Sequence, residues 1–310
     1  MTTLARISAA SVVLTYLHLV FGGIVRITGS GMGCGDHWPR CNGRWIPPLD
    51  NPLVMIEWTH RLLALLVILT IGWLAFAVWT RRAEPGVAGH RGVLRPAVIG
   101  LALVITVALL GMVTVKLGNP TIATVAHWTL ALALLAVLTA AAVRAGAFGG
   151  DAARREGGSA RTMRSLGAGA AIAFVAVVLG GIVAKFPGAA VACPGFPLCG
   201  DTPADVPAGA SHIQLTHRVF AYFLFFHAIM AAIAIGRRAG ESRVVRRMAT
   251  AAAALVVLQL ALGAGMVMSV MPAVLRSAHQ AVGIGVWLVL FLGMYLARVA
   301  ATTSETGSRS

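Results

Sequence analysis

Charge is what this sequence has least of. Of its 310 residues only 11% are Asp, Glu, Lys or Arg, ten of them acidic, while 58% are hydrophobic and the mean hydropathy is +0.84. That balance excludes a soluble domain, whose surface would then have to be apolar. A P-loop, a flavin or nicotinamide fingerprint and a long soluble module are missing as well. Any electrons the chain uses must therefore come from a partner or a membrane quinol. The first apolar run lacks a small-residue cleavage site and is too long for a removed signal peptide, so it is read as a retained span.

What is present is length in apolar runs. Eight of them, near 5–25, 53–80, 94–117, 121–144, 165–185, 212–236, 248–270 and 274–300, are long enough to cross a hydrocarbon core, which needs about 20 residues per helix. The fold class expected is an all-α integral membrane protein. The formal charge of +15 does not point to nucleic acid, because the arginines crowd alternate connections. Arg81, Arg82, Arg91 and Arg95 form one group, Arg144, Arg154, Arg155, Arg161 and Arg164 a second, and Arg237, Arg238, Arg243, Arg246 and Arg247 a third. By the positive-inside rule that side is cytoplasmic, and both termini share it.

Cysteine is scarce and confined to the other set of loops: Cys34 and Cys41 after the first span, Cys193 and Cys199 after the fifth. Close pairs in an oxidising compartment favour two local disulfides, Cys34–Cys41 and Cys193–Cys199. A zinc site built from all four is the alternative, although the usual two-residue ligand spacing is lacking.

The chain repeats itself. GGIVRITGSGMGCGDHWPRC (22–41) aligns with GGIVAKFPGAAVACPGFPLC (180–199), and IEWTHRLLA (56–64) with IQLTHRVFA (213–221). LLGMVTV (109–115) and TVAHWTL (124–130) align with ALGAGMVMSV (261–270) and RSAHQAV (276–282). The expected organisation is two tandem pseudo-symmetric four-helix bundles, 1–145 and 165–300, joined by a basic linker at 146–164 and followed by a disordered tail at 301–310. An even number of spans per half makes the repeats parallel in the membrane.

The repeat pairs four of the nine histidines, His60 with His217 and His127 with His279. Each lies about five residues into its span, about 7–8 Å below the outer edge at 1.5 Å per residue. Two imidazoles on facing helices of one bundle can ligate a metal from opposite sides, and a haem iron suits an apolar slot between helices. The bland alternative is that each hydrogen-bonds a neighbouring helix. His18 and His227, which lack repeat partners, read as hydrogen-bonded packing residues. His37 is read as a solvated loop residue, His212 as interfacial, and His90 carries no signal.

These motifs together resemble the haem A synthase family: the EWTHR phrase, the GSGMGCGDHWPRCNG loop, the TVAHW and RSAHQ histidines and a cysteine pair in each outer loop. The resemblance runs to about residue 300. It implies a membrane oxidoreductase that converts haem O to haem A for terminal cytochrome oxidases by oxidising a porphyrin methyl group to a formyl group. It further implies that His60 and His127 hold the substrate or product haem, that His217 and His279 hold a haem B, and that Glu57 is catalytic. The cysteine loops would cover the two sites on the extracellular side of the plasma membrane. A farnesyltransferase producing haem O would act upstream. Electron donor or acceptor, oxygen source and the choice between monomer and homo-oligomer stay open.

The residues lend that division of labour their own support. Glu57 lies three residues before His60 and so projects from nearly the same helix face. A carboxylate there is costly to bury unless paired or used. Gln214, its repeat partner, has the same shape but cannot ionise. Arg61, one turn on, is placed to pair with Glu57. Arg61 and Arg218 occur in both halves and are expected either to neutralise haem propionates or to snorkel to the interface. The competing function is a non-catalytic di-haem electron carrier or a haem transporter, which needs the histidines but not the acid.

Overall fold

A computed structural model describes residues 2–48 and 50–307, with side chains up to residue 301. Nine helices carry the chain among the described residues: α1 Thr3–Ile27, α2 Pro52–Thr80, α3 Leu94–Lys116, α4 Thr121–Arg144, α5 Gly150–Glu156, α6 Ala160–Lys185, α7 Ala210–Gly236, α8 Arg243–Met268 and α9 Ala273–Gly307. All but the short α5 are long and apolar enough to span a bilayer, so the chain is a multi-pass membrane protein.

Local chemistry fixes the helix ends. Thr2 accepts the Ala5 N–H at 3.2 Å, and Asn51 accepts that of Leu53 at 2.9 Å ahead of Pro52, a residue suited to the first helical turn. Ser159 caps α6 through the Thr162 N–H at 3.2 Å. α6 and α8 begin about five residues before the apolar runs, with Arg161, Arg164, Arg243, Arg246 and Arg247 inside their first two turns. The turns after α3 and α8 correspond: left-handed Gly118 and Asn119 in one, left-handed Val270 and Met271 in the other.

The chain divides into two compact units, Met1–Ala147 and Phe148–Ser310. In the first, α1 packs on α2 and α4, and α3 packs on α2 and α4, giving a ring in which α2 and α4 sit diagonally. In the second, α6, α7, α8 and α9 form the same ring, with α7 and α9 diagonal. Leu132, Leu135 and Leu138 of α4 fill the interior of the first, and Ile284, Leu290 and Leu296 of α9 that of the second. Leu65, Leu69, Trp73 and Phe76 on α2, and Phe223, Phe226 and Met230 on α7, face outward, as suits a lipid solvent.

The segment expected as a linker holds α5, which packs on α8 and α9 within the second unit. Glu156, its last residue, accepts the Ser242 hydroxyl and the Arg243 N–H, both at 2.7 Å, and so closes the α8 N-terminus. Those two bonds hold the Glu156 carboxyl below its ordinary value. The backbone of α9 runs on through Gly307, into the segment expected as a tail, and residues 308–310 lie outside those described.

Candidate functional site

The four repeat-paired histidines stand on the diagonal helices of the two rings: His60 on α2 and His127 on α4, His217 on α7 and His279 on α9. Each is half-buried, and each turns one edge of its ring onto a glycine of the neighbouring helix. A Cβ added at Gly22, Gly111, Gly180 or Gly263 would meet the Cε1 of His60, His127, His217 or His279 at 3.0–3.3 Å. Four glycines thus make room for four imidazoles. None of them was singled out from the sequence, although all four lie inside the aligned repeats.

Hydrogen bonds then set the rings. The Nδ1 of His127 bonds the Val107 carbonyl at 3.0 Å, and that of His217 bonds the Ala176 carbonyl at 2.9 Å. With Nδ1 as the donor, Nε2 keeps its lone pair for a metal. His279 differs: its Nε2 lies 3.2 Å from the Gln259 amide, and among the described residues its buried Nδ1 has no hydrogen-bond partner. The rings of His217 and His279 are 6.4 Å apart, a separation that one metal ion with bonds of about 2 Å to each ring can bridge. Among the described residues no group of three or more His, Cys, Asp or Glu could hold a bare ion. In the second bundle the donor set is thus a pair of imidazoles, which fits a haem iron held by two histidines.

His18 is the residue that sequence reasoning misplaced. Expected as a hydrogen-bonded packing residue, it instead stacks on His60, with ring centroids 4.3 Å apart and planes 10° apart, and among the described residues its buried Nδ1 has no hydrogen-bond partner. His127 is near enough to both to interact with them electrostatically. His227 does bond a neighbouring helix, through Nε2 to the Ser165 carbonyl at 2.9 Å.

The outer loops are tied to α2 and α7 by matching devices. Both cysteine pairs are disulfides, Cys34–Cys41 and Cys193–Cys199, and no cysteine is free, which removes the zinc alternative. The Cys34 N–H donates to Glu57 Oε2 at 2.8 Å, and the Cys193 N–H donates to Gln214 Oε1 at 2.6 Å. Glu57 and Gln214 are both buried, at 2% and 4% exposure, so each acts as a peg that receives its loop.

One turn on, the arginines clamp the same loops. Arg61 donates to the carbonyls of His37 at 2.8 Å and Arg40 at 3.0 Å, and pairs with Glu57 Oε1 at 2.5 Å. Arg218 donates to the carbonyls of Cys193, Gly195 and Leu198 at 2.5, 3.0 and 3.0 Å. Each spends three of its five N–H groups on these partners; the Arg61–Glu57 pair was expected, but the clamp on backbone carbonyls was not part of the expectation of propionate binding or snorkelling. Nothing in the sequence near Arg61 or Arg218 signalled it, because the carbonyls lie 20 or more residues away.

The chemical consequence is an asymmetry on a shared frame. In the first unit a buried carboxylate, neutralised by a guanidinium, stands one helical turn from His60. In the second, the same place holds a neutral amide.

Comparison with known proteins gives a consistent picture. The profile of the cytochrome oxidase assembly protein family COX15-CtaA matches residues 5–54 and 51–291. The chain is 29% identical over 275 residues to the heme A synthase of Geobacillus kaustophilus, covering 87% of this chain and 84% of that protein. It is 32% identical over 260 residues to the heme A synthase of Shouchella clausii, covering 82% and 83%. A stretch of 98 residues is 45% identical to part of a protoheme IX farnesyltransferase of Thermus thermophilus, covering 32% of this chain and 14% of that protein.

Proposed function

The chain belongs to the COX15-CtaA family of cytochrome oxidase assembly proteins, and on that premise we propose that it makes haem A. The reaction oxidises a porphyrin methyl group of haem O to a formyl group. His60 and His127 hold the substrate haem, and His217 and His279 hold a haem B. That haem B would supply one-electron redox chemistry to the second bundle.

The observation that carries this assignment is the pairing of Glu57 with Gln214. The two residues do the same mechanical job, each receiving a cysteine N–H, so loop anchoring does not require an acid. The charge at Glu57 is surplus to the structure. A buried carboxylate beside His60 can stabilise positive charge developing on a substrate carbon, or hold a proton leaving it. Arg61 keeps that carboxylate aimed through the ion pair and closes the loop over it. The remaining N–H groups of Arg61 and Arg218 are available to haem propionates.

By the arginine distribution, the cysteine loops face the extracellular side of the plasma membrane and the arginine-rich connections the cytoplasm. Haem O would come from a farnesyltransferase, a supply with which the similarity to the Thermus farnesyltransferase accords. No observation favours a non-catalytic carrier or transporter, which would have no use for an acid in one half alone.

The test is extraction of haem from membranes co-expressing the chain with a haem O source. Haem A should be present with the natural sequence and lost in Glu57→Gln while total bound haem persists. Recovery of haem B alone, unaffected by that change, would contradict the assignment.

A further inference from the structure

Some buried polar atoms are left over once the histidines and the side chains touching them are set aside. Among the described residues, those without a hydrogen-bond partner are Ser8 Oγ, Thr15 Oγ1 and Trp128 Nε1 in the first bundle, and Glu241 Oε2 and Arg246 Nε at the arginine-rich end of the second. Ser8 and Thr15 lie within α1, where a hydroxyl can turn onto a carbonyl of its own helix. An indole N–H has no such recourse, because it is a donor only and is fixed in the plane of its ring. Trp58 gives its N–H to the Trp45 carbonyl at 2.9 Å, but Trp128 meets no such acceptor. It is the leftover group of the first bundle that needs a partner from outside the chain.

The place of Trp128 narrows the choice of partner. It follows His127 directly on α4 and heads the helix row that continues, one and two turns on, through Leu132 and Leu135 of the bundle interior. The matching residue of the second bundle is Gln280, which is already engaged within the protein.

We propose that the Trp128 N–H donates to the hydroxyl on the farnesyl-bearing substituent of the substrate haem, which makes Trp128 a specificity-determining residue. This rests on the reading that His60 and His127 hold haem O. Addition of a farnesyl group to a vinyl group of haem B leaves a hydroxyl on that substituent, and its oxygen is the polar atom that haem O has and haem B lacks. Both haems carry propionates, so a donor meant for a propionate would be wanted equally in both bundles. The open indole donor stands only in the bundle that has to tell the two haems apart. It also works against haem B, which would leave the buried N–H unpaired.

The experiment uses the purified full-length chain in detergent with haem B already bound in the second bundle. The first bundle is titrated with haem O or with haem B, and the Soret band is followed. Trp128→Phe keeps an aromatic ring and removes the N–H. It should weaken haem O binding by about tenfold, the scale of one buried hydrogen bond, and leave haem B binding no weaker than in the natural chain. In the natural chain, ultraviolet resonance Raman spectra should show one indole N–H gaining a hydrogen bond in the haem O complex and not in the haem B complex.

If Trp128→Phe weakens both haems alike, the residue only packs, or meets a propionate, and the hydroxyl contact is wrong. If it weakens neither, or if no indole N–H responds to haem O, the contact is equally wrong. The haem assignment survives each of these results. If His127→Ala leaves haem O uptake unchanged, the haem assignment itself fails and the proposal falls with it.

Discussion

IEWTHR and IQLTHR are folded into the same device. In both, the second residue of the phrase receives a cysteine N–H, the histidine presses its edge onto a glycine, and the arginine clamps the loop above. Two differences between the bundles bear on the site at His60. Glu57 stands where the second half has Gln214, and His18 stands where it has Ala176. The shared parts explain how a loop and a ligand are held. The differing parts are where a reaction can reside. A repeat within one chain thus separates scaffold from chemistry without reference to any other protein.

The largest expected break between the halves comes from the arginines. Arg61→Ala leaves Glu57 buried without its partner, which should cost about 3–5 kcal/mol. Arg218→Ala strands carbonyls but no charge, and should cost about 1–3 kcal/mol. Thermal unfolding in detergent reads both. In a Glu57→Gln background the gap between the two arginine variants should close, since there is no longer a charge to strand.

The disulfides should fall the other way, as equals. Their sequence separations, 7 and 6, differ by one residue, so replacing either pair with serine should cost about 2–3 kcal/mol by chain-entropy reasoning. Only loss of Cys34–Cys41 should also lower haem A yield, because Cys34 is what holds Glu57 Oε2. Equal loss of haem A from both would show that the loops matter for a reason other than Glu57.

A smaller effect lies at the turns after α3 and α8. Val270, at φ 58, stands where the first half has Gly118, at φ 71. A β-branched residue in that left-handed conformation is strained, so Val270→Gly should raise stability by about 1 kcal/mol, against the usual trend for glycine.

The smallest concerns α5, which the first half lacks. The Glu156 carboxyl is held below its ordinary value by Ser242 and Arg243. Its contribution is therefore complete above that ordinary value and is lost as pH falls through the lowered one. Hydrogen exchange at the first turn of α8 should rise over that acid range, and Glu156→Gln should abolish the pH dependence.

Much of this was legible before the coordinates. The eight spans follow from hydropathy, and their cores match the helices to within a few residues, because lipid leaves the backbone no other choice. The histidines and Glu57 were marked by the repeat. What stayed hidden depends on contacts between residues distant in sequence. Arg61 finds carbonyls at residues 37 and 40, and Glu57 finds an N–H at residue 34. His18 looked like packing because its repeat partner is alanine. That mismatch was itself the available signal: a histidine at a position where the second copy shows none is needed for the fold. The four glycines were visible as repeated letters, but their purpose needed the rings beside them.

The most direct test of the account is to exchange the one charged difference. In the double variant Glu57→Gln/Gln214→Glu each bundle keeps a peg of the same shape, so loops and haem content should persist. Haem A extracted from co-expressing membranes should fall by about a hundredfold or more, the scale of losing a positioned acid or base, and the acid at position 214 should not restore it. Haem A at the level of the natural chain in that variant would contradict the claim that Glu57 marks the half in which haem is changed.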